Sequence, residues 1–420
     1  MSNLQQTDMA SAKDRRLEAP QDVLPFPSEQ LMTVRVLVIL GVRSPTMALA
    51  RRFHQLGIKV YLIDFVPNEQ KHPFLVKPTS AAEGLPELLS WTLVGTEEGF
   101  QQILRFLVHV GADALITVDE FAQLWMAGRR KELPMQCRLL SPNQEQLLGL
   151  LDKWHQIASA RECGLQVLPT WEIQTVVDAA KIPDAEFPVC VRPTHVNSIQ
   201  PFLKAAVYPS RQVLETELAR YQWTHPLAVQ PFRYGPNYVL HAVRSLSGEM
   251  LAMRLFRAER KSEGFASTIV EAELPAMLAQ AVQRFAQAEQ IVGPFHFDLL
   301  QPEGSAEFFF LEVNVRFGGT TAKVTRLGMD EPTLVLRAFG LQPPLDPPLA
   351  RSAKRVTTLS LELRRAWNEL TGKSDPLAYP RFSGFRGLVT ALLQILLIPD
   401  AILTWSDIRG SIWYTIHGNR

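Results

Sequence analysis

The chain has 420 residues, 46% hydrophobic and 20% charged, enough for two or three domains around a sizeable core. Its 43 basic and 42 acidic residues leave a net charge of +1, which excludes a general electrostatic pull toward nucleic acid or acidic membranes. Cys137, Cys163 and Cys190 are widely spaced with no CxxC pair, which argues against a disulfide framework or structural zinc and fits a reducing compartment. No charged region followed by an apolar core opens the chain, so a cytoplasmic protein is expected. The longest apolar run, Gly387–Ile398, holds Thr390 and Gln394 and stops at Pro399, too short for a membrane span.

Residues 1–30 are polar and aperiodic and read as a disordered tail. Order begins with a buried-type strand at Val34–Leu40, a turn at Gly41, a helix over Thr46–Leu56 ending at Gly57, and a strand at Val60–Asp64. With the next helix, Thr96–Val110, and strand, Ala114–Val118, this is a βαβ opening on a parallel sheet. Its first turn carries a single glycine and is a poor dinucleotide fingerprint. Asp119 and Glu120 read either as ligand groups at the sheet's carboxyl edge or as the cap and first turn of the next helix. Helices follow from Ser141 to Leu151 and over Trp154–Cys163, the second opened by Asp152-Lys153. Next come a strand ending at Arg192-Pro193, a polar stretch Thr194–Ser198, a helix over Ser210–Trp223 and a strand Leu227–Gln230. A strand pair, Val239–Ser245 and Met250–Phe256, leads to a polar loop Arg257–Ser267 and a helix Glu273–Glu289 with Pro275 in its first turn.

The stretch Gly293–Thr321 reads as a hairpin, with strands Phe295–Leu300 and Glu307–Phe317. Period-two alternation puts Glu312, Asn314 and Arg316 on one face and Leu311, Val313, Val315 and Phe317 on the other, the core face. Asp298 on the first strand is expected beside Glu312. Two carboxylates and an amide oxygen form a hard site suited to Mg²⁺, and Arg316 adds a planar cation suited to phosphate. Gly318-Gly319 permits close backbone approach to a ligand. The competing account is a charged, solvated edge strand.

In this order the pieces resemble the ATP-grasp superfamily, specifically its carboxylate–amine ligases, over roughly residues 34–340. The resemblance implies an α/β Rossmann-like domain at 31–140, a two-lobed α+β ATP-grasp domain at 141–345 with its lid at about 170–235, and a small C-terminal subdomain at 346–420. It implies metal ligands at Asp298, Glu312 and Asn314, with Mg²⁺ or Mn²⁺, and ATP phosphates held by Lys153 and Arg192, the latter standing where the family has lysine. Adenine would meet Gln230-Pro231-Phe232, and the family's ribose-binding step falls on Gly235-Pro236-Asn237, where Asn237 replaces a carboxylate. Arg316 would stabilise the transferring phosphoryl group, with Lys153 and Arg192 as further catalytic cations. His296 reads either as an added donor toward nucleotide or as a structural histidine, and Arg192 either as a phosphate ligand or as a strand-end surface charge. Thr194–Ser198 weakly matches a phosphate-covering loop. Arg257, Glu259, Arg260, Glu263, Gly264, Ser267 and Thr268 are candidates for the acceptor pocket, the alternative being a solvated charged loop.

The implied activity is ATP-dependent ligation. A small-molecule carboxylate or enolic oxygen is phosphorylated and coupled to an amine such as an amino acid, with ADP and phosphate released. Neither nucleic acid nor a membrane span is expected, and a homodimer is an open possibility. The layout of the tail, with a helix Leu361–Leu370, the run Gly387–Ile398 and a segment reaching Trp413 and Tyr414, is similar to that of ATP-grasp ligases forming mycosporine-glycine. Other readings are a non-catalytic nucleotide-binding module and a peripheral membrane protein using the Gly387–Leu403 region.

Overall fold

The computed structural model describes residues 31–66, 79–84, 86–195, 198–201, 203, 205–262, 264–373, 375–381 and 384–411. The expected tail 1–30 lies outside these residues, as do Val196 and Asn197 of the polar stretch after Pro193, Glu263, Trp413 and Tyr414.

The N-terminal unit is a five-stranded sheet in which every neighbouring pair is parallel. Strand Val36–Leu40 lies between Lys59–Val66 and Ala114–Thr117, with Glu87–Ser90 and Arg138–Leu139 at the edges. An apolar sequence such as VLVIL forms an inner strand because helices cover both faces of a parallel sheet. Gly41 ends it at φ +95°, and a Cβ there would meet Val118 at 3.0 Å, so the single glycine of the first turn answers both to backbone angle and to packing. Thr96 caps helix Glu97–Val110 by accepting from the Gly99 amide, and Gly111 closes it in the left-handed region.

A short parallel pair, Met32–Thr33 with Leu341–Gln342, ties this unit to the next. There a seven-stranded sheet runs, edge to edge, through Arg355–Thr357, Phe265–Ala272, Met250–Ser262, Asn237–Arg244, Gly293–Leu300, Phe309–Asn314 and Gln166–Val167. All its pairs are antiparallel except the last, which is parallel. Helix Ala276–Ala288 packs on it through Phe285, whose ring meets Phe297 edge-on at 5.2 Å, while Phe297 meets Phe310 at 5.6 Å. Where the lid is expected, a four-stranded antiparallel sheet of Ala206–Tyr208, Val189–Pro193, Leu227–Pro231 and Trp171–Ile173 has its own core of Val191, Leu214, Leu218 and Val229. The C-terminal region gives strand Arg355–Thr357 to the large sheet and then forms an antiparallel helix pair, Leu359–Leu370 and Gly384–Leu397.

Three local expectations change. The helix expected over Ser210–Trp223 is Arg211–Leu218, because Gln222–Trp223 leaves it to pair with Ile199–Gln200. Pro275 precedes helix Ala276–Ala288 as its N-cap rather than sitting in its first turn. The polar loop expected at Arg257–Ser267 is instead the end of a long hairpin, Met250–Ser262 with Phe265–Ala272. Its buried cations, Arg260 and Lys261, are matched by partners far along the chain, so strand pairing persists through a charged stretch.

Candidate functional site

The hairpin of Gly293–Leu300 and Phe309–Asn314 sets Asp298 directly opposite Glu312 and His296 opposite Asn314, with a register shift just after Asp298. Alternation holds beyond the strand's end: Val313, Val315 and Phe317 are buried, while Glu312, Asn314 and Arg316 are half-buried on the other face. Leu311, expected in the core, is only half-buried. Its carbonyl instead receives a hydrogen bond from Arg192 Nη2 at 2.8 Å.

Two cations from other parts of the chain converge on Glu312. Lys153 opens helix Lys153–Glu162, whose start is fixed by Asp152 accepting from the Trp154 amide at 2.8 Å. Its Nζ donates to Glu312 Oε2 at 2.9 Å. Arg192, on the lid strand Val189–Pro193, brings Nη1 to 3.7 Å from the same oxygen. Burial would raise the Glu312 pKa, but the charges of Lys153 and Arg192 outweigh it and hold the carboxyl well below the usual carboxylate range. Arg192 Nη2 also donates to Gln230 Oε1 at 3.2 Å, and Gln230 Nε2 donates to Thr170 Oγ1 at 3.0 Å. Pro231 pairs with Val189, and the Phe232 amide donates to the Pro188 carbonyl at 2.7 Å, so the expected adenine segment is the lid's own strand.

Arg316 reaches across to the N-terminal unit. Its Nε and Nη2 donate to Glu120 Oε1 at 3.0 and 2.8 Å. The adjacent Asp119 caps helix Glu120–Gly128 by accepting from the amides of Phe121 and Ala122, in agreement with the cap reading of that residue. Asn237 has its Oδ1 engaged by Lys261 Nζ at 2.7 Å, and the same ammonium donates to the Gly235 carbonyl at 3.1 Å. Burial pushes the Lys261 pKa down to about 8. His296 is buried, and burial, followed by its neighbours His241 and Arg316, holds its pKa well below the ordinary value. Its ring stacks on His241 at 5.4 Å and leaves no room for a Cβ at Gly318, which would come within 2.8 Å of it. His241 is in turn bonded to Glu331 at 2.6 Å and to Thr320 at 2.7 Å. This histidine layer underlies the Gly318–Thr320 loop, and Gly319 faces open space.

The acceptor-pocket candidates are dispersed. Arg257 is exposed and pairs with Glu259 at 3.3 Å. Arg260 is buried in a two-pronged pair with Glu362, and Ser267 and Thr268 donate to that same carboxylate at 2.6 and 3.4 Å. Gly264 turns the hairpin at φ +76° beside Leu377. None of these side chains is bonded to the Glu312 group in the contacts described above. Lys261 and the His241–Glu331 pair had no reading as site residues, whereas Glu120, read as a ligand group or as a first-turn residue, stands in the first turn of its helix and holds Arg316. For Lys261 the only signal is strand alternation continuing past Phe256, and for the His241–Glu331 pair there is no local signal.

Chemically, the cluster offers hard oxygens from Asp298, Glu312 and Asn314 beside two cations fit for phosphate oxygens. Among the described residues no group of three or more His, Cys, Asp or Glu is placed to hold a metal, so the candidate donors are two carboxylates and one amide oxygen. The described residues include no helix long and apolar enough to cross a membrane.

Neither a family model nor a curated protein matches the sequence. Solved structures do share its fold. N5-carboxyaminoimidazole synthetase from Staphylococcus aureus aligns with a TM-score of 0.58 at 14% identity, over 81% of this chain and 87% of that one. An L-amino acid ligase from Bacillus licheniformis aligns at 0.52 and 16%, over 72% and 74%. A pyruvate carboxylase from Rhizobium etli aligns at 0.56 and 15% over 73% of this chain, which spans only 28% of that longer one. A parallel N-terminal sheet, a small antiparallel sheet and a large, mostly antiparallel sheet give this chain the fold of these solved structures, the ATP-grasp fold.

Proposed function

We propose that the protein is an ATP-dependent ligase, which phosphorylates a carboxylate or enolic oxygen of a small molecule and couples it to an amine such as an amino acid. The observation that carries this reading is the convergence of Lys153 and Arg192, from a helix start and from the lid, on the Glu312 carboxylate opposite Asp298. A nucleotide between lid and large sheet would offer both cations phosphate oxygens in exchange for a share of that carboxylate. Adenine would lie along Gln230, Pro231 and Phe232, and Asn237 would face ribose once Lys261 releases part of its oxygen.

Asp298, Glu312 and Asn314 would hold Mg²⁺, or Mn²⁺ in its place, which when bound neutralises phosphate charge. The chain's own groups do the rest. A carboxylate oxygen of the substrate attacks the γ-phosphorus, the bond to the β-phosphate oxygen breaks, and ADP leaves. The amine nitrogen then attacks the acyl carbon, phosphate departs with the former carboxylate oxygen, and the nitrogen loses a proton. Lys153 and Arg192 orient the phosphates, and phosphoryl transfer depends chiefly on such positioning and charge neutralisation. Arg316, aimed by Glu120, would stabilise the transferring group.

That a small-molecule natural product is the substrate is in keeping with the tail's layout. The test is to incubate the enzyme with ATP, Mg²⁺ and panels of acids and amines, identify the nucleotide product, and follow ¹⁸O from labelled carboxylate. ADP with label in the released phosphate is expected. AMP, or unlabelled phosphate, overturns the reading.

A further inference from the structure

The antiparallel pair Leu359–Leu370 and Gly384–Leu397 sits at the outside of the molecule, and its outward stripes are apolar. On the first helix Leu363, Trp367 and Leu370 are exposed, at i, i+4 and i+7. On the second, Phe385, Val389, Leu392, Leu393, Leu396 and Leu397 repeat the same spacing, and Leu396 and Leu397 are 78% and 73% exposed. A groove of about 420 Å³ continues the surface between Leu393, Leu397 and Ile398 on one side and Lys354 on the other. Beyond it Trp405 is 91% exposed. So much apolar area on one face marks an interaction surface.

The charges around it decide what the surface fits. From 351 to 411 there are nine Lys and Arg against five Asp and Glu, although the whole chain is nearly neutral. None of those five acids is exposed. Glu362 is consumed by Arg260, Asp407 by Arg51, Thr79 and Ser80, and Asp400 by the amides of Leu359, Ile402 and Leu403. Lys354, Lys373, Arg381, Arg386 and Arg409 are all exposed. Arg351 and Arg355 are exposed too, in pairs with Glu271 and Glu259, and Arg381 and Arg386 also make contacts of their own, Arg381 with the Pro376 carbonyl and the Tyr234 ring. Lys354 stands at one end of the helix pair, and Lys373 and Arg386 stand at the other, where Glu369 meets Gly387.

We propose that this face docks on an anionic lipid bilayer, lying in its surface without crossing it. Leucines and aromatics enter the acyl boundary while a cationic rim meets phosphate and carboxylate headgroups, the arrangement by which amphipathic helices bind charged membranes. Trp367 within the stripe suits the interfacial depth favoured by that side chain. A second copy of the chain fits less well, because a two-fold contact sets the same patch against itself and would bring basic rim against basic rim.

The test is co-sedimentation of the full chain with vesicles of phosphatidylcholine alone or with about 30% phosphatidylserine, at roughly 0.1 M salt. Binding to the anionic vesicles is expected. It should fall by about tenfold or more on raising salt to roughly 0.5 M, or in the Lys354→Glu/Arg386→Glu variant. Leu396→Glu/Leu397→Glu should abolish it with an unchanged thermal melt, since both side chains are already exposed. Equal binding to neutral and anionic vesicles, no binding at all, or an apolar double variant that binds like wild type overturns the proposal. A dimer by sedimentation equilibrium that the apolar variant dissociates, together with no vesicle binding, overturns it and assigns the face to a second copy.

Discussion

Two carboxylates, Glu312 on the large sheet and Glu362 on the helix Leu359–Leu370 that follows its edge strand, carry opposite kinds of cluster. Glu362 is wholly buried, its oxygens taken by both prongs of Arg260 and by the hydroxyls of Ser267 and Thr268. Glu312 keeps about a quarter of its side chain open (27%), and its cations arrive from a helix start and from the lid. A closed pair has no capacity left for a ligand, and its worth is structural. An open one, whose partners belong to separately built elements, can trade contacts with an incoming anion. Type of residue does not separate the two clusters, but saturation does.

Removing each carboxylate sharpens the contrast. Glu362→Ala leaves Arg260 buried and unpaired, a loss of about 3–5 kcal/mol in unfolding stability, to be read from urea denaturation. Turnover per folded molecule should be little changed. Glu312→Ala should do the reverse, with a nearly unchanged melt but at least about a hundredfold less turnover and a loss of the Mg²⁺ dependence of nucleotide affinity. A Glu312 variant that melts far below wild type while keeping its nucleotide affinity would make the two clusters alike. Arg316→Ala divides binding from chemistry: about a hundredfold loss in turnover is expected with ATP affinity retained. Normal turnover in that variant would confine Arg316 to bridging the large sheet and Glu120.

Arg192 carries a smaller effect. It lies partly in each class, tied to Leu311 and Gln230 as well as facing Glu312. As a phosphate ligand its replacement by alanine should weaken ATP binding by about tenfold, with lysine partly restoring it. Calorimetry giving equal affinities for all three proteins would reduce it to a lid-to-sheet tether.

The hairpin half of the open cluster was legible from local pattern, whereas Lys153, 159 residues from Glu312, was reached only through the family resemblance, and the closed cluster was not legible at all. Asp298, Glu312 and Asn314 share one hairpin, where strand alternation alone predicts which side chains meet. Arg260 and Glu362 lie 102 residues apart, and Arg316 and Glu120 lie 196 apart. No local pattern announces either pair, so Arg257–Ser267 reads as a loop when its partners are unknown. Trp223 likewise reads as the end of a helix until Ile199 is there to pair with it. The βαβ opening, by contrast, follows from apolar runs and caps that lie within a few residues of each other.

Arg260 and Lys261 are neighbours on one strand, and the comparison between them is the finest test. Arg260 has a carboxylate, whereas the Lys261 ammonium donates to two neutral oxygens, Asn237 Oδ1 and the Gly235 carbonyl. Burial therefore depresses the Lys261 pKa from 10.5 to about 8. Between these values the unfolded chain keeps the proton that the folded chain has lost, so stability rises with pH across that window, and below pH 8 the full cost of the buried charge is present. Cys137 works the other way, because burial pushes its thiol up to about 12 and the unfolded chain ionises first. The quantity to measure is therefore the difference in unfolding free energy between wild type and Lys261→Met. Wild type should gain about 2 kcal/mol on the variant between pH 7.5 and 9.5. Lys323, depressed to about 8 in the same way, is present in both proteins and cancels. A difference that does not move with pH would show that Lys261, like Arg260 beside it, has a counter-charge in the folded protein.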